Sequence, residues 1–111
     1  MDERQRRIGE NEALFRQVNE RVKDLNRSFS IVLERGEYLC ECGDESCTER
    51  VEVSLPDYER VRADGALFLI RPGHETVDVE DVVEETPAFH VVRKKDGGPA
   101  ELAREHDPRS D

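Results

Sequence analysis

The sequence predicts an α+β domain in which a long N-terminal amphipathic helix precedes a small, mostly antiparallel sheet with one or two short helices. Three observations lead to this reading. Apolar residues recur at alternating three- and four-residue steps through the first 28 positions. Short β-favouring runs broken by Gly and Pro follow, and three cysteines fall within eight residues, Cys40 to Cys47.

The helix comes first. From Ile8 the apolar positions are Phe15, Val18, Val22, Leu25 and Phe29, with Asn11 filling the one gap. This is a heptad stripe, and Glu12 and Arg16 stand four apart in the order that favours a helix. No Pro interrupts residues 2–28. Such a stripe either packs on the chain's own sheet or forms a seam with a partner, and Asn11 could set the register of a seam. A divided stripe is predicted, with Val22, Leu25 and Phe29 in the core and Ile8 and Phe15 left for contact.

The runs Phe29–Glu34 and Glu37–Cys42 read as strands around a turn at Arg35-Gly36. Val51 and Val53 alternate with Glu52 and Ser54, the pattern of a half-buried strand. Ser54-Leu-Pro-Asp57 then starts a helix, since Ser54 can accept the Asp57 amide and Pro56 suits a first turn. That helix runs to about Asp64 and ends at Gly65. Ala66–Ile70 is a compact apolar strand stopped by Pro72-Gly73. The acidic stretch 75–86, with Val77, Val79, Val82 and Val83 interleaved, could form a short helix or an edge strand, and a helix over Val79–Glu85 is favoured. Phe89–Lys94 is the last strand, and from Pro99 a frayed helical turn and a flexible end are expected. The organisation predicted is therefore a helix over 1–28, an α+β domain over 29–98 and a flexible tail over 99–111.

Composition limits the core. Only 35% of the 111 residues are hydrophobic while 40% are charged, and Trp is absent. A domain of this size buries only about two-thirds of its unfolded surface, so an additional staple is expected. Twenty-seven acidic against seventeen basic residues give a formal charge of −10, which opposes binding to nucleic acid or anionic lipid. The opening MDERQRRIGENE has no apolar signal region, and no apolar run approaches the ~18 residues that span a bilayer. A cytoplasmic location is expected, where clustered thiols bind metal more readily than they form disulfides.

The chemistry of YLCECGDESC fits that staple. Side chains two apart on an extended segment point the same way, so Cys40 and Cys42 can reach one ion, and Gly43 permits a reversal that returns Cys47 to it. Three thiolates suit zinc, although the usual spacing places two residues between paired cysteines and here there is one. His74, beside the Pro72-Gly73 turn, is the predicted fourth ligand. His90 lies within a strand and His106 in the tail, while Asp44, Glu45 or water are the alternatives. As bare nucleophiles the cysteines are poorly placed, because Glu41, Asp44, Glu45 and Glu49 would raise the thiols rather than lower them.

No phosphate-binding loop is present, since Gly97-Gly98 precedes Pro99 without the Lys-Ser/Thr of a nucleotide site. No catalytic triad or carboxylate pair stands out from the charged runs. With NEALFRQVNERV, CECGDESC, YERVRAD, FLIRPGHE, DVEDVVEE, HVVRK and the closing DPR as they stand here, the chain resembles a group of small actinobacterial proteins. That resemblance implies that Cys40, Cys42, Cys47 and His74 form one recurring unit, and it implies no activity. The function predicted is a non-enzymatic zinc module for protein interaction or regulation, with a protein partner or a second copy on the first helix. A zinc-thiolate redox sensor and a small metal-dependent hydrolase are the alternatives.

Overall fold

A computed structural model describes residues 1–29 and 35–109. The elements run α1 (Glu3–Phe29), β1 (Arg35–Leu39), β2 (Arg50–Ser54), α2 (Leu55–Arg62), β3 (Leu67–Ile70), β4 (Glu80–Glu85), β5 (His90–Lys94) and α3 (Gly98–Glu105). The class is α+β. β1 and β2 form an antiparallel pair, and a second antiparallel sheet has the order β3-β5-β4. The two are joined at one point. Leaving β1, the Cys40 amide bonds the Glu49 carbonyl at 3.1 Å on one side, and the next amide, Glu41, bonds the Leu69 carbonyl of β3 at 2.7 Å on the other. No helix among the described residues is long and apolar enough to cross a membrane.

Several elements form for the reasons the sequence offers. Ser54 caps α2 by accepting the Asp57 amide at 3.2 Å, with Pro56 in the first turn. Val51 and Val53 of β2 point into a core shared with Tyr38, Tyr58, Val61, Leu69, Phe89 and Val91. There Tyr38 and Tyr58 stack with ring centroids 4.3 Å apart.

Four expectations are corrected. Arg35 and Gly36 are not a turn: they lie in β1 opposite Ser54 and Val53, and the hairpin connection is the cysteine loop itself. Phe29 ends α1 instead of starting a strand, and the rest of that expected strand lies outside the described residues. Residues 80–85 are the edge strand β4 rather than a helix. Its inward positions are Glu80, Val82 and Glu84, a two-residue alternation that the acids concealed, while Val83 bulges outward and is 53% exposed. The chain after Pro99 forms α3, which seats Ala100, Leu102 and Ala103 in the interior, where only a frayed turn was expected. Leu102 packs so closely on Gly9 of α1 that a Cβ at Gly9 would lie 2.6 Å from its methyl carbon.

The largest correction concerns α1. Its inward face is Gly9, Glu12, Ala13, Arg16 and Asn19, and Glu12, Arg16 and Asn19 are fully enclosed. Of the predicted stripe, Ile8, Phe15 and Val22 are half-buried, while Val18 and Leu25 face solvent. Leu25 is therefore not core. The helix docks through polar side chains because each finds a partner whose own position is fixed by strand alternation. Lys94 lies between Glu12 (2.5 Å) and Glu80 (3.0 Å), all enclosed. The Arg16 guanidinium lies 4.5 Å above the Phe68 ring. It donates to the Gly65 and Ala103 carbonyls at 2.7 Å each, close to the C-terminal ends of α2 and α3, where carbonyls lack helical partners.

Candidate metal centre

The loop from Cys40 to Glu49 connects β1 to β2, and the turn that follows β3 folds over it. Cys40 and Cys42 are 2% exposed and Cys47 is half-buried. Between Cys42 and Cys47, the Asp44 carboxylate accepts from the Ser46 amide (2.9 Å) and hydroxyl (2.6 Å), and the Cys47 amide bonds the Asp44 carbonyl at 3.0 Å. This small turn brings the third sulfur back. Gly43 is required for a reason other than the reversal expected of it: Ile8 of α1 lies against it, and a Cβ there would collide with the Ile8 side chain. Asn11 adds a hydrogen bond from its amide to the Gly43 carbonyl at 3.2 Å.

His74 arrives from the opposite side. Arg71-Pro72-Gly73-His74 is a tight turn with Gly73 at φ 88°, closed by the His74 amide on the Arg71 carbonyl at 3.1 Å. Because β3 is tied to the Glu41 amide at Leu69, this turn ends beside the cysteines. His74 Nδ1 lies 3.5 Å from Cys40 Sγ and 3.8 Å from Cys47 Sγ. One ligand atom from each of Cys40, Cys42, Cys47 and His74 falls within 4.8 Å of the others, so the four could hold a metal ion. With metal–sulfur bonds of about 2.3 Å and metal–nitrogen bonds of about 2.0–2.1 Å, tetrahedral edges are about 3.8 Å between sulfurs and about 3.6 Å from sulfur to nitrogen. The two sulfur–nitrogen separations match that scale. His90, on β5, and His106, at the end of α3, lie outside the cluster.

A backbone amide also reaches the cluster: Arg71 N–H bonds Cys40 Sγ at 3.2 Å. The nearby amides of Asp44 and Glu49 favour the thiolate forms of Cys42 and Cys47. N–H donors stabilise thiolates and orient them, as the outer shell of a metal site does. Without a metal the thiols share protons among themselves. A hydrogen bond from Cys40 draws Cys42 down to about 5 and pushes Cys40 up, while burial raises Cys47. Of the acidic flank, Glu41 turns away from the sulfurs and the Asp44 carboxylate is occupied by Ser46.

Glu41 is the residue sequence reasoning missed. Alternation sends it to the face opposite Cys40 and Cys42, where it is fully enclosed. It accepts from Arg62 at 2.6 and 2.9 Å, from Asn19 at 2.7 Å and from the Leu69 amide at 2.9 Å. The segment carrying two of the candidate ligands is thus held from behind by α1, α2 and β3. An acid between two cysteines and an arginine 21 residues along the chain, at the end of α2, read as surface charge, and only the strand period pointed inward.

No known protein family, curated protein or solved structure matches this chain.

Proposed function

We propose that the chain is a small zinc-binding module in which the metal is structural and no catalytic step occurs, and that it works by contact with protein through the outward side of α1. The observation that carries this reading is the convergence of three sulfurs and one imidazole nitrogen within 4.8 Å. A thiolate-rich donor set suits zinc, and four protein donors fill a tetrahedron, whereas catalytic zinc keeps one position open for water.

Energetics support a structural role. Zinc held by such a set contributes on the order of 10–16 kcal/mol at neutral pH, comparable to or above the ~5–15 kcal/mol net stability of a whole domain. The core here is thin and partly polar, so the metal would tie together the β1–β2 connection, the turn after β3 and, through Gly43, the first half of α1. Contact with protein is supported by Leu14, Val18 and Leu25, which are 59%, 38% and 66% exposed on one side of α1.

Native mass spectrometry tests the reading. One zinc per chain is expected, with retention greatly weakened by Cys42→Ser and less by His74→Ala, since water can replace one imidazole. A protein that stays well folded and cooperative after thorough chelation would overturn it.

A further inference from the structure

Leu14, Val18 and Leu25 are spaced four and seven residues apart, so they share one side of α1. Arg7 continues that side at its N-terminal end and Arg21 lies within it, while Glu10 and Asp24 flank it, all four exposed. α1 carries seven basic and five acidic residues, a charge of +2.

The order of these charges is self-complementary. Placed antiparallel about a two-fold axis near position 16, Glu10 of one helix meets Arg21 of the other, Arg7 meets Asp24, and Leu14 meets Val18. Each pair occurs twice, and the two charge pairs share one midpoint with the Leu14–Val18 pair within half a residue of it, as an isologous interface requires. A parallel pairing would set Glu10 against Glu10 and Arg21 against Arg21. Leu25 falls opposite the aliphatic stems of Arg6 and Arg7. Beside the axis, a cavity of about 210 Å³ lined by Glu10, Ala13, Leu14, Gln17 and His106 leaves room for an entering side chain.

We infer that the outward side of α1 is a homodimer interface, with two copies packed antiparallel across Leu14 and Val18 and fixed by the Glu10–Arg21 pairs. This rests on the reading of α1 as a protein-contact surface and names its occupant. The contact is small by the standard of stable complexes, so a dissociation constant on the order of 100 µM is expected.

Sedimentation equilibrium on the zinc-loaded full chain from about 10 µM to 1 mM tests it, using wild type, Glu10→Arg, Arg21→Glu and an equimolar mixture of the two variants. Wild type is expected to dimerise. Each variant alone should dissociate at least tenfold more readily, because its cross-pairs become like-charged. The mixture should form a heterodimer at least as tight as the wild-type dimer, because both cross-pairs are opposite again. A wild type monomeric at 1 mM, or two variants that dimerise as well alone as together, would overturn the inference. Zinc content and circular dichroism on the same samples separate this failure from that of the module reading, which falls only if the folded chain holds no metal.

Discussion

Arg62 of α2 forks onto Glu41, with its two terminal nitrogens 2.6 and 2.9 Å from the two carboxylate oxygens, and the residue so held lies in the chain between Cys40 and Cys42. Both side chains are enclosed, at 1% and 0% exposure. Breaking a buried pair by removing one partner leaves an uncompensated charge and costs about 3–5 kcal/mol. Glu41→Ala is therefore expected to lower stability by that amount and to weaken metal retention with both cysteines intact. Chemical denaturation and metal competition by a chelator measure the two effects. Wild-type values for both would show that the pair does not support the cluster.

Gly43 and Ile8 offer a second test of how the first helix meets the loop. Gly43→Ala should destabilise by about 1–3 kcal/mol through overpacking, and Ile8→Ala should cost about 2–3 kcal/mol or less, since Ile8 is only half-buried. Combined, the two changes should cost less than their sum, because the methyl added at 43 enters space vacated at 8. Strict additivity would place Ile8 away from the loop.

The α1 interface reverses the usual rule for helices. Val18→Asp on the exposed side should change stability by no more than about 0.5–1 kcal/mol. Asn19→Ala should cost about 1–3 kcal/mol, although it deletes no apolar atom from a core. Asn19 pairs with Leu39 as a neighbouring strand would, donating to its carbonyl at 2.9 Å and accepting its amide at 2.8 Å. Thermal unfolding of the two variants decides which side faces inward, and a larger loss from Val18→Asp would reverse the assignment.

These residues also mark what the sequence could disclose. The fold class and the cysteine loop were legible because Val51, Val53 and Ser54 follow local rules and because Cys40, Cys42 and Cys47 are close in the chain. The docking face of α1 was not. Apolar periodicity selects Phe15, Val18 and Leu25, and it is blind to Glu12, Arg16 and Asn19, whose burial depends on Lys94, Phe68 and Leu39 far along the chain. β4 was obscured for the same reason, since Glu80 faces inward to Lys94 while Val83 faces solvent.

Glu12 gives the fold a pH signature. Burial, and after it the neighbouring Glu80, raises its carboxyl well above the ordinary value of 4.5, with Lys94 acting in the opposite direction. A carboxyl raised in the folded state binds its proton more tightly there. Its contribution is therefore most favourable near or below the unfolded value and is lost as pH rises through the folded one. Glu12→Gln cannot ionise, so wild type should lose stability relative to this variant as pH rises through the range above the ordinary carboxyl value of 4.5. Denaturation midpoints of the two proteins across that range check it, and a pH-independent difference would contradict the assignment.

X-ray absorption spectroscopy of the zinc-loaded protein tests the central claim most directly. Three sulfurs at about 2.3 Å and one imidazole nitrogen at about 2.0–2.1 Å are predicted, with the nitrogen lost from the imidazole signal in His74→Ala. A coordination shell with an oxygen in place of that nitrogen, or with fewer than three sulfurs, would contradict it.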